Sequence, residues 1–266
     1  MRVEGLIIDP QVDFCDGRKG TLYVAGADED TRRLAAMVRR LGKRVDDYHV
    51  TLDSHRIVDV AHPIFWKDST GRNPDPFTII TAADLDSGRW TTTNPGFFRR
   101  TQDYVKKLEA GGRYPLCIWP YHCLIGSAGH NIMPELLTAL NDWERENFAL
   151  LDVVTKGSNI FTEHYSAVKA DVPDPQDPTT QINKGLIKTL MECDLVFIAG
   201  QALSHCVANT VRDIANEFGD DTYVKKLVLL TDASSSVGGF EQLGNDFVRE
   251  MTARGMQTST TTDFLR

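Results

Sequence analysis

Three consecutive segments decide how the chain is read: VEGLIID (Val3–Asp9), EDTRRLAAMVRRLGKRV (Glu29–Val45) and DDYHVTLD (Asp46–Asp53). The outer two are short β-rich runs, and the middle one repeats its apolar residues at helical spacing, so they read as strand, helix, strand. The rhythm recurs downstream. Strands are predicted at PLCIWP (115–120), FALLDVVTK (148–156), DLVFIAG (194–200) and KLVLLTD (226–232), with a weaker one near MQTSTTTDFL (256–265). Helices are predicted around FRRTQDYVKKLEAG, NIMPELLTALNDWERE, QINKGLIKTLMEC, SHCVANTVRDIANEFG and, from near Phe240, QLGNDFVREMTARG. Such alternation predicts a Rossmann-like three-layer α/β/α architecture with a mainly parallel central sheet and helices on both faces.

A length of 266 residues suits one α/β domain over 1–266, with an irregular insertion at about 63–97 rich in Pro, Gly, Asp and Thr. A loop that long inside a compact domain is usually functional or an interface element. A second irregular stretch, DVPDPQDPTTQ, carries prolines that forbid helix. Charge narrows the partners. With 29 Lys and Arg against 37 Asp and Glu, the formal charge is −8, which argues against nucleic acid and anionic membrane surfaces. The expected partners are a small molecule and further copies of the chain. The five cysteines (15, 117, 123, 193 and 206) form no CxxC pair, and no secretory apolar region precedes Leu6. Free thiols in a reducing compartment, the cytoplasm, are therefore expected. No apolar run approaches the roughly 18 residues of a membrane helix.

In open α/β sheets, ligands bind beyond the carboxyl ends of the strands. Those ends carry Asp9, Asp53 with His55, Trp119 to His122, Lys156, and Gln201 to Cys206. Cys206 has two readings. A free cysteine is most often core filling, but at a helix start the dipole and unpaired amides stabilise a thiolate and can receive an oxyanion. A nucleophilic thiol needs a base or charged partner, and Asp9 and Lys156 are the candidates. Alone, Asp9 also reads as a turn former and Lys156 as a side chain snorkelling to solvent. Asp53 and His55 stand at i and i+2 of a strand, on one side, where they can chelate one ion together. His62 and His122 supply further imidazoles, and such a set suits one divalent ion, zinc first, with iron or manganese as alternatives. No HExxH motif supplies a water-activating base, so the ion would hold substrate instead of cleaving it.

Taken in order, IDPQVDF, TLDSH, WPYHC, TKG and ALSHCVANT resemble the nicotinamidase branch of the isochorismatase-like cysteine hydrolases, from Leu6 to about Asp232. The resemblance implies a triad of Asp9, Lys156 and Cys206. It implies a metal site of Asp53, His55 and His122, with His62 matching less securely. It places Phe14 and Trp119 at the walls of the substrate ring, counts Gln201 among the substrate-binding residues, and puts a cis peptide at Gln201–Ala202, so that the Ala202 and Cys206 amides receive the oxyanion. The implied reaction is hydrolysis of nicotinamide or a related small carboxamide through a Cys206 thioester, by a homo-oligomer. Two other readings compete: a hydrolase of carbamoyl or ureido compounds with a structural or vestigial metal site, and a non-catalytic binding protein of the same fold.

The chain departs from the pattern in several places. The spacing from His62 to His122 is long, and the added segment, with Trp66, Trp90 and Phe97, is expected to lid the pocket, alter the substrate or lie between subunits. Ser204 stands where the family often has an acid. His164 and Tyr165 sit in a lengthened loop, as pocket groups or as surface. His49, His130 and His164 are read as structural, His205 as pointing away from the pocket, and Asp13 as local support.

Overall fold

A computed structural model describes residues 1–266. Six strands form one sheet: β1 (Val3–Ile8), β2 (Asp47–Asp53), β3 (Asp152–Lys156), β4 (Leu195–Gly200), β5 (Leu227–Leu230) and β6 (Gln257–Ser259). All neighbours are parallel, and the spatial order is β3-β2-β1-β4-β5-β6. The expected mainly parallel three-layer architecture is what the chain adopts. The order reverses between β1 and β4, the place where doubly wound sheets open a crevice.

Strand alternation divides the core in two. Leu6, Ile8, Val196, Ile198 and Leu229 face one side with Val207, Val211, Leu190 and Phe247. Ile7, Val50, Phe197, Val228 and Leu230 face the other with Leu34, Val38, Leu136 and Trp143. The second side is covered by α1 (Ala27–Leu41) and, later in the chain, by the helix Pro134–Asn147. Helix α1 begins with Asp28, Glu29 and Asp30 and ends with Arg39 and Arg40, a charge order that complements its dipole. The opposite face carries the helices Lys184–Glu192, Ala208–Phe218 and Glu241–Ala253.

One expectation is corrected. The run PLCIWP does not enter the main sheet: only Leu116–Cys117 is extended, paired antiparallel with Ile79–Ile80. Pro115 and Pro120 bracket the run and remove donors, and the place beside β2 is taken by β3. The inserted segment builds a core of its own. Trp66, Ile80, Leu85 and Trp90 pack with Tyr104, Val105 and Leu116 into a third, separate core, while Phe97 lies against Phe65 and Phe161. Its tryptophans are part of that core, while Phe77 lies edge-on against Trp119 at 5.8 Å.

Candidate active site

Strand register assembles the site. Ile8 pairs with Gly200 and Asp53 with Lys156, so Asp9 and Gln201 leave the sheet side by side, while Lys156 ends level with Asp53. Asp9 turns out of β1 with a left-handed backbone (φ +45°), tied to β2 by its amide, which donates to the Thr51 carbonyl at 3.2 Å. Its carboxylate is fixed from the same residue, since Thr51 Oγ1 donates to Asp9 Oδ1 at 2.5 Å. Gly157 follows Lys156 at φ +83°, and a Cβ there would lie 2.8 Å from Asp53 Oδ1. Glycine is needed at that position for both its conformation and the close approach.

The three residues of the candidate triad come together. Lys156 Nζ lies 2.9 Å from Asp9 Oδ2 and 3.6 Å from Cys206 Sγ, and all three side chains are buried. Beyond its ion pair with Lys156, Asp9 Oδ2 makes no hydrogen bond, so one carboxylate oxygen is held beside the ammonium with capacity to take a proton. Burial raises the Cys206 thiol well above its ordinary range; the Lys156 ammonium opposes this, and the carboxylates of Asp9 and Asp53 add to it. Burial thus favours the neutral thiol. Burial also raises Asp9 against the pull of Lys156, and Lys156 is held well above its usual value because Asp53 and Asp9 outweigh its own desolvation. A carboxyl that binds a proton more readily than usual, next to a thiol that must lose one, is a matched acid–base pair.

The turn that carries Cys206 is set by the close approach of two strands. Gly200 has φ +116°, and a Cβ there would fall 1.9 Å from the Ile8 carbonyl oxygen. The next peptide, Gln201–Ala202, is cis. The chain then winds a wide π-type turn over Leu203–Val207 before the helix Ala208–Phe218. The Ala202 amide donates to no group of the protein, so it is available to an incoming oxygen. Gln201 corrects an expectation. Its side chain turns away from the cavity, with Nε2 donating to Asp30 Oδ2 at 2.9 Å and Oε1 accepting from the Ser235 amide at 3.2 Å. It therefore fastens α1 and the loop after β5 to the Cys206 turn.

Asp53, His55 and His122 offer ligand atoms within 4.8 Å of one another. Asp53 Oδ2 lies 3.0 Å from His55 Nε2 and 3.4 Å from His122 Nε2, while Oδ1 faces Lys156 at 3.2 Å. The far nitrogen of each ring is pinned. His55 Nδ1 lies 3.1 Å from Asp59 Oδ2, and His122 Nδ1 donates to the Pro120 carbonyl at 2.8 Å. His62 Nδ1 donates to the Arg56 carbonyl at 3.0 Å. These acceptors fit a proton on Nδ1, and with the proton there Nε2 is the nitrogen left to act as a ligand. His62 stands outside the tight group, its ring 5.2 Å from that of His55 and 5.5 Å from that of His122, yet its buried Nε2 has no partner. Lone pairs facing a carboxylate require a cation between them, and this donor set fits one divalent ion. Without an ion, proton uptake must supply that charge. Burial disfavours the His55 imidazolium, but Asp53 and Asp59 raise it well above the ordinary range; burial would raise Asp53, but His55 and Lys156 bring it well below.

Cys206, Asp53 and His122 open on one small cavity of about 30 Å³. Phe14, Trp119 and Ala202 line it as expected; Glu163, His164, Tyr165 and His205 line it as well. His164 and His205, read as structural or averted, are thereby corrected. His164 accepts the Gly157 amide on Nδ1 at 3.3 Å, which fastens the lengthened loop to the end of β3. Burial pushes His164 down to about 3 and His205 to about 4, so both are neutral, while burial lifts Glu163 to about 8. No periodicity marks Glu163, which lies in irregular chain. The signal for His205 is its adjacency to Cys206 in a turn wound wider than an α-helix.

No protein-family model and no curated protein matches the chain. Solved structures do. An Acinetobacter baumanii nicotinamidase/pyrazinamidase is 21% identical, with 99% of this chain and 98% of that one covered at a TM-score of 0.64. A Pyrococcus horikoshii pyrazinamidase in complex with zinc is 18% identical, covering 98% and 99% at 0.55. An isochorismatase-like hydrolase from Alkaliphilus metalliredigens is 15% identical, covering 100% and 98% at 0.54. The chain thus has the isochorismatase-like α/β fold along nearly its whole length, with the nicotinamidases and pyrazinamidases among its structural neighbours.

Proposed function

We propose that this protein is a metal-containing cysteine amidohydrolase that converts nicotinamide or a related small carboxamide to the acid and ammonia. The carrying observation is the contact set at the reversal of the sheet: Cys206 Sγ 3.6 Å from Lys156 Nζ, itself 2.9 Å from Asp9 Oδ2, opening on a small aromatic-walled cavity. Names of structural neighbours support the substrate class, and the geometry supports the chemistry.

Asp9 Oδ2 accepts the thiol proton while Lys156 holds the nascent thiolate. The sulfur attacks the amide carbon, forming a C–S bond, and the carbonyl π electrons move to oxygen, which rests on the Ala202 and Cys206 amides. One such donor is typically worth about 3–4 kcal/mol in the transition state. The oxyanion collapses, the C–N bond breaks, and the proton on Asp9 passes to nitrogen, so ammonia leaves and a thioester remains. Asp9 then takes a proton from water, whose oxygen attacks the thioester carbon; the C–S bond breaks, the proton on Asp9 returns to sulfur, and the acid and the thiol are released. Asp53, His55 and His122 would hold one divalent ion, zinc first, with His62 beside them. When bound, the ion supplies an electropositive anchor for a substrate heteroatom. Phe14 and Trp119 confine the ring, which turns attack into an effectively unimolecular step.

The test is ammonia release from nicotinamide, pyrazinamide and carbamoyl compounds. Wild-type protein is expected to turn over at least one carboxamide and Cys206→Ala none. Turnover by Cys206→Ala would remove the sulfur from the mechanism, and turnover of carbamoyl compounds alone would move the enzyme to the other substrate class.

A further inference from the structure

His205 has no task in the mechanism above, yet its environment is built in detail. It is buried (4% exposed), with its ring stacked on Tyr114 at 5.0 Å and 24° and set edge-on to Trp119 and Phe240. Tyr165 closes a further side at 5.4 Å. The tautomer follows from the hydrogen bonds. Ser204 Oγ accepts the Val237 amide at 3.1 Å and lies 2.9 Å from His205 Nδ1. No other acceptor is in reach of the Ser204 hydroxyl hydrogen, so the hydroxyl donates to Nδ1, and the imidazole carries its proton on Nε2. That N–H bonds nothing in the protein. His62 Nε2 is sealed without a partner, whereas His205 Nε2 is not, and the His205 ring lines the cavity it shares with Cys206. A pKa near 4, set by burial, keeps the ring neutral at physiological pH.

We infer that His205 is a specificity-determining residue: its Nε2–H selects amides carrying a hydrogen-bond acceptor beyond the carboxamide and the heteroatom assigned to the metal. Ring hydroxyl or oxo groups and a second ring nitrogen are the acceptors of suitable size. The inference rests on the amidohydrolase reading and deepens it. A buried neutral donor without an acceptor is penalised, so a substrate that satisfies it gains over one that leaves it bare. Phe14 and Leu22, which also line the cavity, are apolar.

The probes are nicotinamide, benzamide, pyrazinamide and the ring-hydroxylated nicotinamides. Two quantities are measured on them: affinity for zinc-loaded Cys206→Ala protein, which separates recognition from turnover, and kcat/KM for the wild type. At least one acceptor-bearing probe is expected to exceed nicotinamide by about tenfold in affinity, and His205→Phe, which keeps a ring in the wall, brings that ratio to near one. Nitrogen NMR of histidine-labelled protein should show the neutral Nε2–H form of His205 at pH 7, and this arm stands even if the Phe variant does not fold. The proposal is overturned if no acceptor-bearing probe gains over nicotinamide, if the gain survives in His205→Phe, or if the proton lies on Nδ1. A tenfold gain in binding with no ammonia from the wild type would sink the hydrolase reading and leave the donor assignment standing.

Discussion

A thiol enclosed by Asp9, Lys156 and aromatic walls is costly to ionise, and this decides the form of the chemistry at the scale of single residues. Burial favours the neutral Cys206 thiol, so in the proposed mechanism the Asp9 carboxyl beside it acts as the base, and its own raised proton affinity suits that role. The titratable residues at the ends of β1, β2 and β3 were legible in the sequence, because a polar group that closes an apolar strand stands out against its neighbours. Glu163, His164 and His205 were not, because residues in irregular chain or a widened turn obey no period, and adjacency in sequence does not fix direction. His205 and His164 also bear on pH. Their folded pKa values, about 4 and about 3, lie below the ordinary histidine value of 6.5. The unfolded chain therefore binds more protons below pH 6.5, so the stability these rings confer is complete above that pH and is lost as pH falls towards 4 and then 3. For His205 alone this amounts to about 3 kcal/mol. Urea titrations from pH 7 to pH 4.5 are expected to show a shallower loss in His205→Phe than in the wild type; parallel curves would mean that the ring is not held neutral by the fold.

Among elements, the junction between β1 and the Cys206 turn is the most constrained. Gly200 has no room for a side chain, and its φ of +116° is one that other residues avoid. Gly200→Ala must part β1 from β4 or twist the turn, and a loss of about 3 kcal/mol or more is expected from the conformational and steric terms together. Equilibrium unfolding in urea checks the magnitude, and a variant as stable as wild type would mean that the strands are not clamped there. The strands of the main sheet were readable as apolar runs bounded by turns. PLCIWP misled because an apolar run between prolines has a strand's composition without its continuous donors. It pairs over two residues with Ile79–Ile80, and the loop that follows still delivers Trp119 and His122 to the cavity. The position of the site was thus legible where the element carrying it was not.

For the whole molecule, the order β3-β2-β1-β4-β5-β6 explains why residues separated by about two hundred positions meet. Parallel strands with crossovers bring every carboxyl end to one edge, and the reversal between β1 and β4 leaves room there for a ligand. The inserted segment adds its own core, and its irregular composition could not reveal that its tryptophans would be buried in one cluster. What the architecture brings to that edge is a sulfur, a carboxylate and an ammonium in contact, and the claim built on them is a covalent intermediate on one named atom. Rapid mixing with a carboxamide that is turned over, acid quench and peptide mass spectrometry tests it directly. The acyl group of the substrate is predicted on the peptide containing Cys206 and on none containing Cys15, Cys117, Cys123 or Cys193. Turnover with no acyl adduct on any peptide, or with the adduct on another cysteine, would contradict the account.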